Sequence, residues 1–219
     1  TWNPIIYKSN SYSLFYNTEH NIFHAGIVKN SDGQWKYASS YSYTPNSTWI
    51  HTAFTFNGTT LILYINGKQT TPATISSDSI KSSSSKVIIG NTGVSSSCSI
   101  NGTLDEVRIY NRALTSQEIS SLYNNTYANS TGLVLYLKFN ELEGNTAIDS
   151  STYGNNGTIY GAEYTTSTPF DEIEYATKLN STYTNITKIY PSETLYVRCY
   201  MNVTRPNYLW PVKIYGKVE

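Results

Sequence analysis

The chain has 219 residues, a length that suits one large all-β domain or two small ones. Its 15 basic and 15 acidic residues cancel, so it lacks the charge that binding to nucleic acid or to an anionic membrane requires. No apolar run approaches the roughly 18 residues that span a bilayer, and insertion into a membrane is therefore not expected.

The polar composition favours an extracellular glycoprotein. Only 14% of the residues are charged, against about a quarter in ordinary soluble domains, so something other than charge must keep the surface soluble. An Asn- and Thr-rich chain produces some Asn-x-Ser/Thr sequons by chance, but nine of them with so little charge indicate N-linked glycans. The sequons begin at Asn46, Asn57, Asn101, Asn124, Asn129, Asn156, Asn180, Asn185 and Asn202.

Turn signals recur every 8–12 residues in the first half of the chain, which is the spacing of a β-sandwich. Asn57-Gly58 and Asn66-Gly67 predict tight hairpins because both residue types tolerate positive φ. Residues 69–86 are rich in Ser and Thr and predict a loop or a weak strand. The strands predicted here are 12–16, 22–28, 49–56, 61–65 and 87–90.

Residues 104–110 alternate in polarity and predict a strand with Asp105, Val107 and Ile109 on one side. Thr115 and Glu118 form a capping box, which predicts the one clear helix at 115–123. A polar linker follows at 124–131. Beyond it the pattern predicts a strand at 133–139, a loop at 140–157, and extended segments at 158–161, 175–179, 184–189, 194–202 and 208–218.

Two parts of the chain resemble opposite ends of one known domain. Asp105-Glu-Val-Arg-Ile-Tyr-Asn-Arg-Ala-Leu, within 102–119, resembles the closing strand and helix of a laminin-G-like, concanavalin A-like jelly roll, and 49–68 is similar to its middle strands. Residues 132–162 resemble the opening of the same domain, although they come later. The resemblance implies an all-β, antiparallel jelly-roll sandwich in circularly permuted order. Residues 1–131 would be its C-terminal portion and residues 132–219 its N-terminal portion.

This order leaves two assemblies open. Each buried backbone group without a partner costs about 1–3 kcal/mol, so residues 132–219 cannot stand as a half-sheet. They either fold back on residues 1–131 of the same chain or complete residues 1–131 of a neighbouring copy. The second arrangement is head-to-tail and generates rings or filaments. Copies of the chain itself are therefore expected partners, and segment 208–218, which overruns the join, could pair with a neighbour.

Catalytic chemistry is not indicated, and we expect no enzyme. Glycosidases on related sandwiches use two carboxylates that face one cleft. Glu172 and Glu174 share a face, but they lie in a weakly patterned region. His20 and His24 have the spacing of a helical zinc pair, yet they lie across a turn and a strand, where that spacing does not converge on a metal.

Calcium is the one cofactor that the sequence raises. The loop at 140–156 is rich in oxygen ligands, and the resemblance implies that some relatives hold calcium in loops at the sandwich edge. Asp149 and Asn155 are the candidates; the alternative is an Asx-rich turn that satisfies its own backbone. Cys98 and Cys199 could form a disulfide, within one chain or between neighbours, or remain two buried thiols.

The leading functional hypothesis is a structural or adhesive extracellular protein, a subunit or repeat unit of a cell-surface filament or array built from laminin-G-like domains. The alternative is a carbohydrate-binding, lectin-like module of a secreted or surface adhesin. Trp35, Tyr41, Tyr43 and Trp210 could stack on sugars, but among 21 Tyr residues the sequence does not single out a ligand-binding site.

Overall fold

A computed structural model describes residues 2–43, 49–93, 99–126 and 129–165, together with the backbone of three strands further along. Those strands are Ala176–Leu179, Thr182–Ile186 and Leu195–Val203. The predicted segment 208–218 lies outside the described residues. Antiparallel strands dominate the described chain, which confirms the predicted all-β sandwich.

The described part of residues 1–131 contains ten strands and one helix. These are β1 (Trp2–Lys8), β2 (Tyr12–Asn17), β3 (Ile22–Val28), β4 (Trp35–Ser39), β5 (Ile50–Phe56), β6 (Thr60–Ile65), β7 (Lys68–Gln69), β8 (Ala73–Thr74), β9 (Val87–Ile89), β10 (Gly102–Tyr110) and α1 (Ser116–Tyr123). The described part of residues 132–219 adds β11 (Leu133–Leu137), β12 (Thr146–Ala147), β13 (Gly157–Thr158), β14 (Glu163–Thr165), β15 (Ala176–Leu179), β16 (Thr182–Ile186) and β17 (Leu195–Val203).

The strands form two large sheets and a small one. One sheet has six strands in the order β16-β9-β1-β2-β3-β4. The other has nine, in the order β14-β15-β10-β17-β5-β6-β7, with β11 also beside β10 and β8 beside β6. Strands β12 and β13 pair with each other and form the small sheet. Strand β12 lies inside the predicted loop at 140–157. Strand β13 replaces the predicted strand at 158–161 and is shorter, beginning at Gly157. The Asn66-Gly67 hairpin forms as predicted, with φ of 49° and 74° at its two residues.

Strands from residues 132–219 lie among strands from residues 1–131 in both large sheets. Strand β11 pairs with the second half of β10, from Val107 to Tyr110. Strand β17 lies between β10 and β5, and β16 pairs with β9. Each large sheet is therefore built from both portions of the sequence.

The main hydrophobic core fills the space between the two large sheets. Leu14 and Phe23 reach it from the six-stranded sheet, and Phe54 and Leu63 reach it from the nine-stranded sheet. All four side chains are fully buried. Alternate residues of each strand point inward to this core, so the intervening residues of the six-stranded sheet define its outer face.

Helix α1 begins at the predicted capping box and covers the outer side of the nine-stranded sheet. The Thr115 hydroxyl accepts a hydrogen bond from the Glu118 amide at 3.2 Å, and the Glu118 carboxylate accepts one from the Thr115 amide at 2.9 Å. Arg112 donates two further hydrogen bonds to this carboxylate, at 2.6 and 2.9 Å, and lowers the pKa of Glu118 to about 2. Ile119 and Leu122 pack the helix onto the sheet. Within the described residues, no helix is long and apolar enough to cross a membrane.

Strand β10 contains a β-bulge that changes the predicted side-chain alternation. Glu106 has a φ of 54°, and the register with β17 shifts between Asp105 and Arg108. Leu104 and Val107 therefore both reach the main core although they are three residues apart. Because neighbouring strand residues point to opposite faces, the prediction that Asp105 shares a side with Val107 is wrong.

The same bulge creates a buried ion pair. Arg108 Nη2 donates to Glu106 Oε2 at 2.6 Å and to the Tyr136 hydroxyl at 2.6 Å. The Tyr136 hydroxyl in turn donates to Glu106 Oε1 at 2.7 Å, and the Arg108 guanidinium lies 3.9 Å from the centre of the Tyr136 ring. The two buried charges are thus paired and hydrogen-bonded, which is the condition for tolerating them in a sheet interior.

Candidate functional site on the six-stranded sheet

The outer face of the six-stranded sheet carries a row of directly opposed residues across four strands. Tyr7 of β1 is paired with Ser13 of β2, Ser13 with Gly26 of β3, and Gly26 with Tyr37 of β4. Directly opposed residues on antiparallel strands place their side chains on the same face. A Tyr therefore stands at each end of this row, with a Ser and a Gly between them.

The absence of a side chain at Gly26 lets the Tyr37 ring lie close to the sheet. A Cβ atom at position 26 would come within 2.7 Å of the Tyr37 ring and 2.9 Å of the Ser13 hydroxyl oxygen. Trp35, two residues earlier on β4, stacks on Tyr37 with ring centroids 5.7 Å apart and planes 9° from parallel. Tyr37 still exposes 52% of its surface, so the stacked pair offers aromatic surface to solvent.

A second group of rings lies on the same face. Phe15 of β2 is directly opposed to His24 of β3, and His24 to Ser39 of β4. The Trp2 ring contacts His24 at 4.8 Å and Phe15 at 6.2 Å between centroids, and Phe15 contacts Tyr7 at 6.0 Å. Trp2 is 48% exposed. We call these six side chains the aromatic face: Trp2, Tyr7, Phe15, His24, Trp35 and Tyr37.

The aromatic face carries no charge near neutral pH. None of the six strands of this sheet contains Asp or Glu. Lys8 and Lys36 are next to face residues in sequence, so they point to the opposite side of the sheet. Burial, and then the nearby His20, lower the pKa of His24, whose Nδ1 lies 2.8 Å from the Ser39 hydroxyl.

The sequence identified only part of this site. Trp35, one of the four predicted stacking residues, lies on the aromatic face. Tyr41 and Tyr43 follow β4 and line a separate cleft instead, and Trp210 lies outside the described residues. Trp2, Tyr7, Phe15, His24 and Tyr37 were missed; the two-residue spacing of Trp35 and Tyr37 was a usable signal, because such residues share a strand face.

The candidate calcium ligands are already engaged with their own loop. Asp149 Oδ1 accepts hydrogen bonds from the amides of Tyr136 at 2.8 Å and Ser151 at 2.9 Å. Asp149 Oδ2 accepts from the Ser151 hydroxyl at 2.7 Å and the Asn155 amide at 2.8 Å. The Asn155 side chain donates to the Val134 carbonyl at 3.0 Å.

Hydrogen-bond donors of the loop already occupy the Asp149 carboxylate, and calcium binding at Asp149 and Asn155 stays a prediction. Four N–H or O–H donors point at the Asp149 carboxylate, and a cation there would have to displace them. Within the described residues, no group of three or more His, Cys, Asp or Glu side chains could hold a metal. The geometry matches an Asx-rich turn that satisfies its own backbone.

The sequons of the described chain lie mostly in exposed turns. Asn57, Asn101, Asn124 and Asn156 are exposed. Asn129 is half-buried, and its side-chain nitrogen donates to Glu118 at 2.9 Å. Asn185 lies on β16 and Asn202 on β17, where only the backbone is described. Asn46 and Asn180 lie outside the described residues.

The remaining predicted residues fall into two groups. Cys98, Glu172 and Glu174 lie outside the described residues, and Cys199 lies on β17, whose side chains are not described. Because neither cysteine side chain is described, the pairing of Cys98 with Cys199 stays a prediction.

His20 and His24 do not form a zinc pair on one helix. His20 lies in the β2–β3 turn, and His24 lies on β3, on the aromatic face.

Comparison with protein families identifies the class of domain. Residues 1–120 match a laminin-G-type family described as the concanavalin A-like lectin/glucanases superfamily. The chain belongs to this family, and its two antiparallel sheets with one short helix have the expected architecture. Comparisons with curated protein sequences and with solved structures give no significant match. The assignment of residues 132–219 to the opening of a permuted domain stays a prediction.

Proposed function

We propose that this domain is an adhesive module that binds saccharides on the aromatic face. The observation that carries the proposal is the stacked Trp35–Tyr37 pair, whose Tyr37 ring lies against the sheet over Gly26 and is 52% exposed. Membership of a lectin and glucanase superfamily supports the same class of ligand.

The chemistry of the aromatic face suits an uncharged sugar ring. One side of a pyranose presents mainly C–H bonds, which carry partial positive charge, and the faces of aromatic rings carry partial negative charge. The rings are held by cross-strand packing, so little side-chain freedom is lost when a ligand binds. The Ser39 hydroxyl beside His24 supplies a polar group at the edge of the rings for a sugar hydroxyl.

The proposed activity is binding without cleavage. Glycoside hydrolysis ordinarily requires two carboxyl groups about 5–9.5 Å apart on either side of the bond. The six strands that form this sheet contain no Asp and no Glu. A saccharide on the aromatic face would therefore meet no carboxyl group from the sheet beneath it.

An extracellular, N-glycosylated location is part of the proposal. It is supported by the family and by the exposed sequons in turns, such as Asn57, where the side-chain oxygen accepts a hydrogen bond from the Thr60 amide at 2.8 Å. Mass spectrometry of native protein should find glycan on several sequons. A native mass equal to the bare 24.6 kDa chain would contradict this part of the proposal.

A glycan array tests the binding function. The wild type should bind a subset of oligosaccharides, and Tyr37→Ala and Trp35→Ala should each weaken that binding by roughly three- to tenfold, because each removes one stacking ring. Tyr153→Ala is the matched control, since Tyr153 is also exposed, at 58%, but lies in the loop at 140–157. Equal binding by all four proteins would show that the aromatic face is not the site.

A filament or array subunit is the second candidate function. It is favoured by the interleaving of strands from residues 132–219 with strands from residues 1–131. The same pairings could join two copies if residues 132–219 of one chain completed the sheets of the next. Light scattering on native protein separates the two cases, because a monomer excludes such exchange and a ladder of oligomers supports it.

A further inference from the structure

A cleft lies beside the end of β4, apart from the aromatic face. It has a volume of about 440 Å³. Its lining includes Tyr41 and Tyr43 from the segment after β4, residues of the β6–β7 hairpin, and Tyr123 at the end of α1. We call it the edge cleft.

The walls of the edge cleft are fixed by contacts that do not depend on a ligand. The Tyr43 hydroxyl accepts a hydrogen bond from the Asn66 side chain at 3.0 Å. The Tyr123 ring lies against Gly67, where a Cβ atom would come within 2.9 Å of it. The Tyr41 hydroxyl lies 3.0 Å from the Thr71 hydroxyl, and 77% of the Tyr41 surface is exposed. The cleft is therefore preformed, with one open aromatic surface.

The polar lining of the edge cleft has one charge. Lys68 is the only charged residue among those described that line it, and no ion pair engages Lys68 within the described part of the chain. Gln69 adds an amide. The Thr70 hydroxyl oxygen is buried and has no hydrogen-bond partner among the described residues. That oxygen is closed to solvent, so the polar groups that the cleft presents to a ligand are the Lys68 ammonium and the Gln69 amide.

The edge cleft adjoins the aromatic face along the chain. Strand β4 places Trp35, Tyr37 and Ser39 on that face, and the next residue, Ser40, already lines the cleft. The aromatic face and the edge cleft therefore meet at the end of β4.

We propose that the edge cleft binds the acidic residue of a saccharide chain that lies on the aromatic face, with Lys68 paired to the sugar carboxylate and the ring against Tyr41. The ligand class is an oligosaccharide that contains a uronic acid. This inference rests on the proposed function, because it uses the aromatic face to hold the neighbouring sugars. The hydroxyl and amide lining suits the hydroxyl groups of a sugar in addition to its carboxylate.

Paired oligosaccharides test the proposal. Each pair contains a uronic-acid oligomer and the methyl ester of the same oligomer, so that the two differ only in charge. The proteins are the wild type, Lys68→Gln, the charge-conserving Lys68→Arg, and Lys36→Gln as a control at an exposed lysine of β4. The wild type should prefer the acid of at least one pair, with a preference that falls as salt is raised.

Lys68→Gln should lose roughly fivefold in affinity for the acid and keep its affinity for the ester, as expected for one exposed ion pair. Lys68→Arg and Lys36→Gln should behave as the wild type. Equal binding of acid and ester by the wild type, or an unchanged preference in Lys68→Gln, would overturn the inference and leave the proposed function intact. If the wild type binds neither uronate pairs nor neutral oligosaccharides, both the inference and the proposed function fail.

Discussion

The substitution Gly26→Ala should weaken saccharide binding without unfolding the domain. Residue 26 lies in the middle of the aromatic face, and an added methyl group would stand 2.7 and 2.8 Å from two carbons of the Tyr37 ring. Ordinary contacts begin near 3.4 Å, so the ring must move outward by about 0.7 Å or rotate off the sheet. Its parallel contact with Trp35 would then be lost.

The expected stability change is small because two effects oppose each other. An aromatic pair contributes roughly 0.5–1.5 kcal/mol beyond its buried area, and Ala is favoured over Gly inside a strand by roughly 0.5–1 kcal/mol. The half-exposed Tyr37 ring can move into solvent, whereas the buried Ser13 hydroxyl at 2.9 Å has less room. The net change in the free energy of unfolding should stay within about 1 kcal/mol.

Urea unfolding and saccharide binding, measured on the same samples, test this reasoning. Gly26→Ala should unfold near the wild-type midpoint, bind as weakly as Tyr37→Ala, and show a changed Trp35 environment in near-ultraviolet circular dichroism. The double variant Gly26→Ala/Tyr37→Ala should be no weaker than either single variant, because both act through one ring. Wild-type binding by Gly26→Ala would refute the role given to the ring over Gly26.

Three further outcomes follow from the described contacts. Tyr136→Phe should lower the free energy of unfolding by roughly 1–3 kcal/mol, since it removes a hydroxyl that is hydrogen-bonded to the buried Glu106 carboxylate. The control Tyr153→Phe, at an exposed position, should leave the free energy of unfolding almost unchanged. The lowered pKa of Glu118 means that its contribution to stability is complete above its usual value of 4.5 and is lost as pH falls towards 2. Glu118→Gln should therefore be less stable than wild type at pH 7 and nearly equal to it at pH 2 in acid-unfolding curves. Asp149→Ala should lower the melting temperature equally in EDTA and in millimolar calcium, because its carboxylate serves backbone donors; a calcium-dependent melting temperature in the wild type would contradict this.

Local signals in the sequence were sufficient for several elements. The capping box at Thr115 and Glu118 predicts the start of α1 correctly because its hydrogen bonds involve only neighbouring residues. The Asn66-Gly67 dipeptide predicts its hairpin for the same reason. The family segments at 49–68 and 102–119 lie within the matched region, so the fold class followed from them as well.

Features that depend on register could not be read from the sequence. The bulge at Glu106 inserts a residue into β10. Non-glycine residues rarely adopt positive φ, so a Glu at this position does not indicate a bulge in the sequence. The aromatic face likewise depends on which residues of four strands are directly opposed, and that pairing is a property of the folded sheet. Gly26 shows this best, since its role is visible only once the Tyr37 ring is placed over it.

The most direct test of the central claim is to map saccharide binding on the protein by nuclear magnetic resonance. The amide spectrum of the wild type should be recorded during titration with an oligosaccharide that the array identifies. Binding at the aromatic face predicts the largest shift changes on β1 to β4, around Tyr7, Gly26 and Tyr37, with the Trp2 and Trp35 indole signals also moving. Shift changes confined to the nine-stranded sheet or to α1, with β1 to β4 unaffected, would contradict the account.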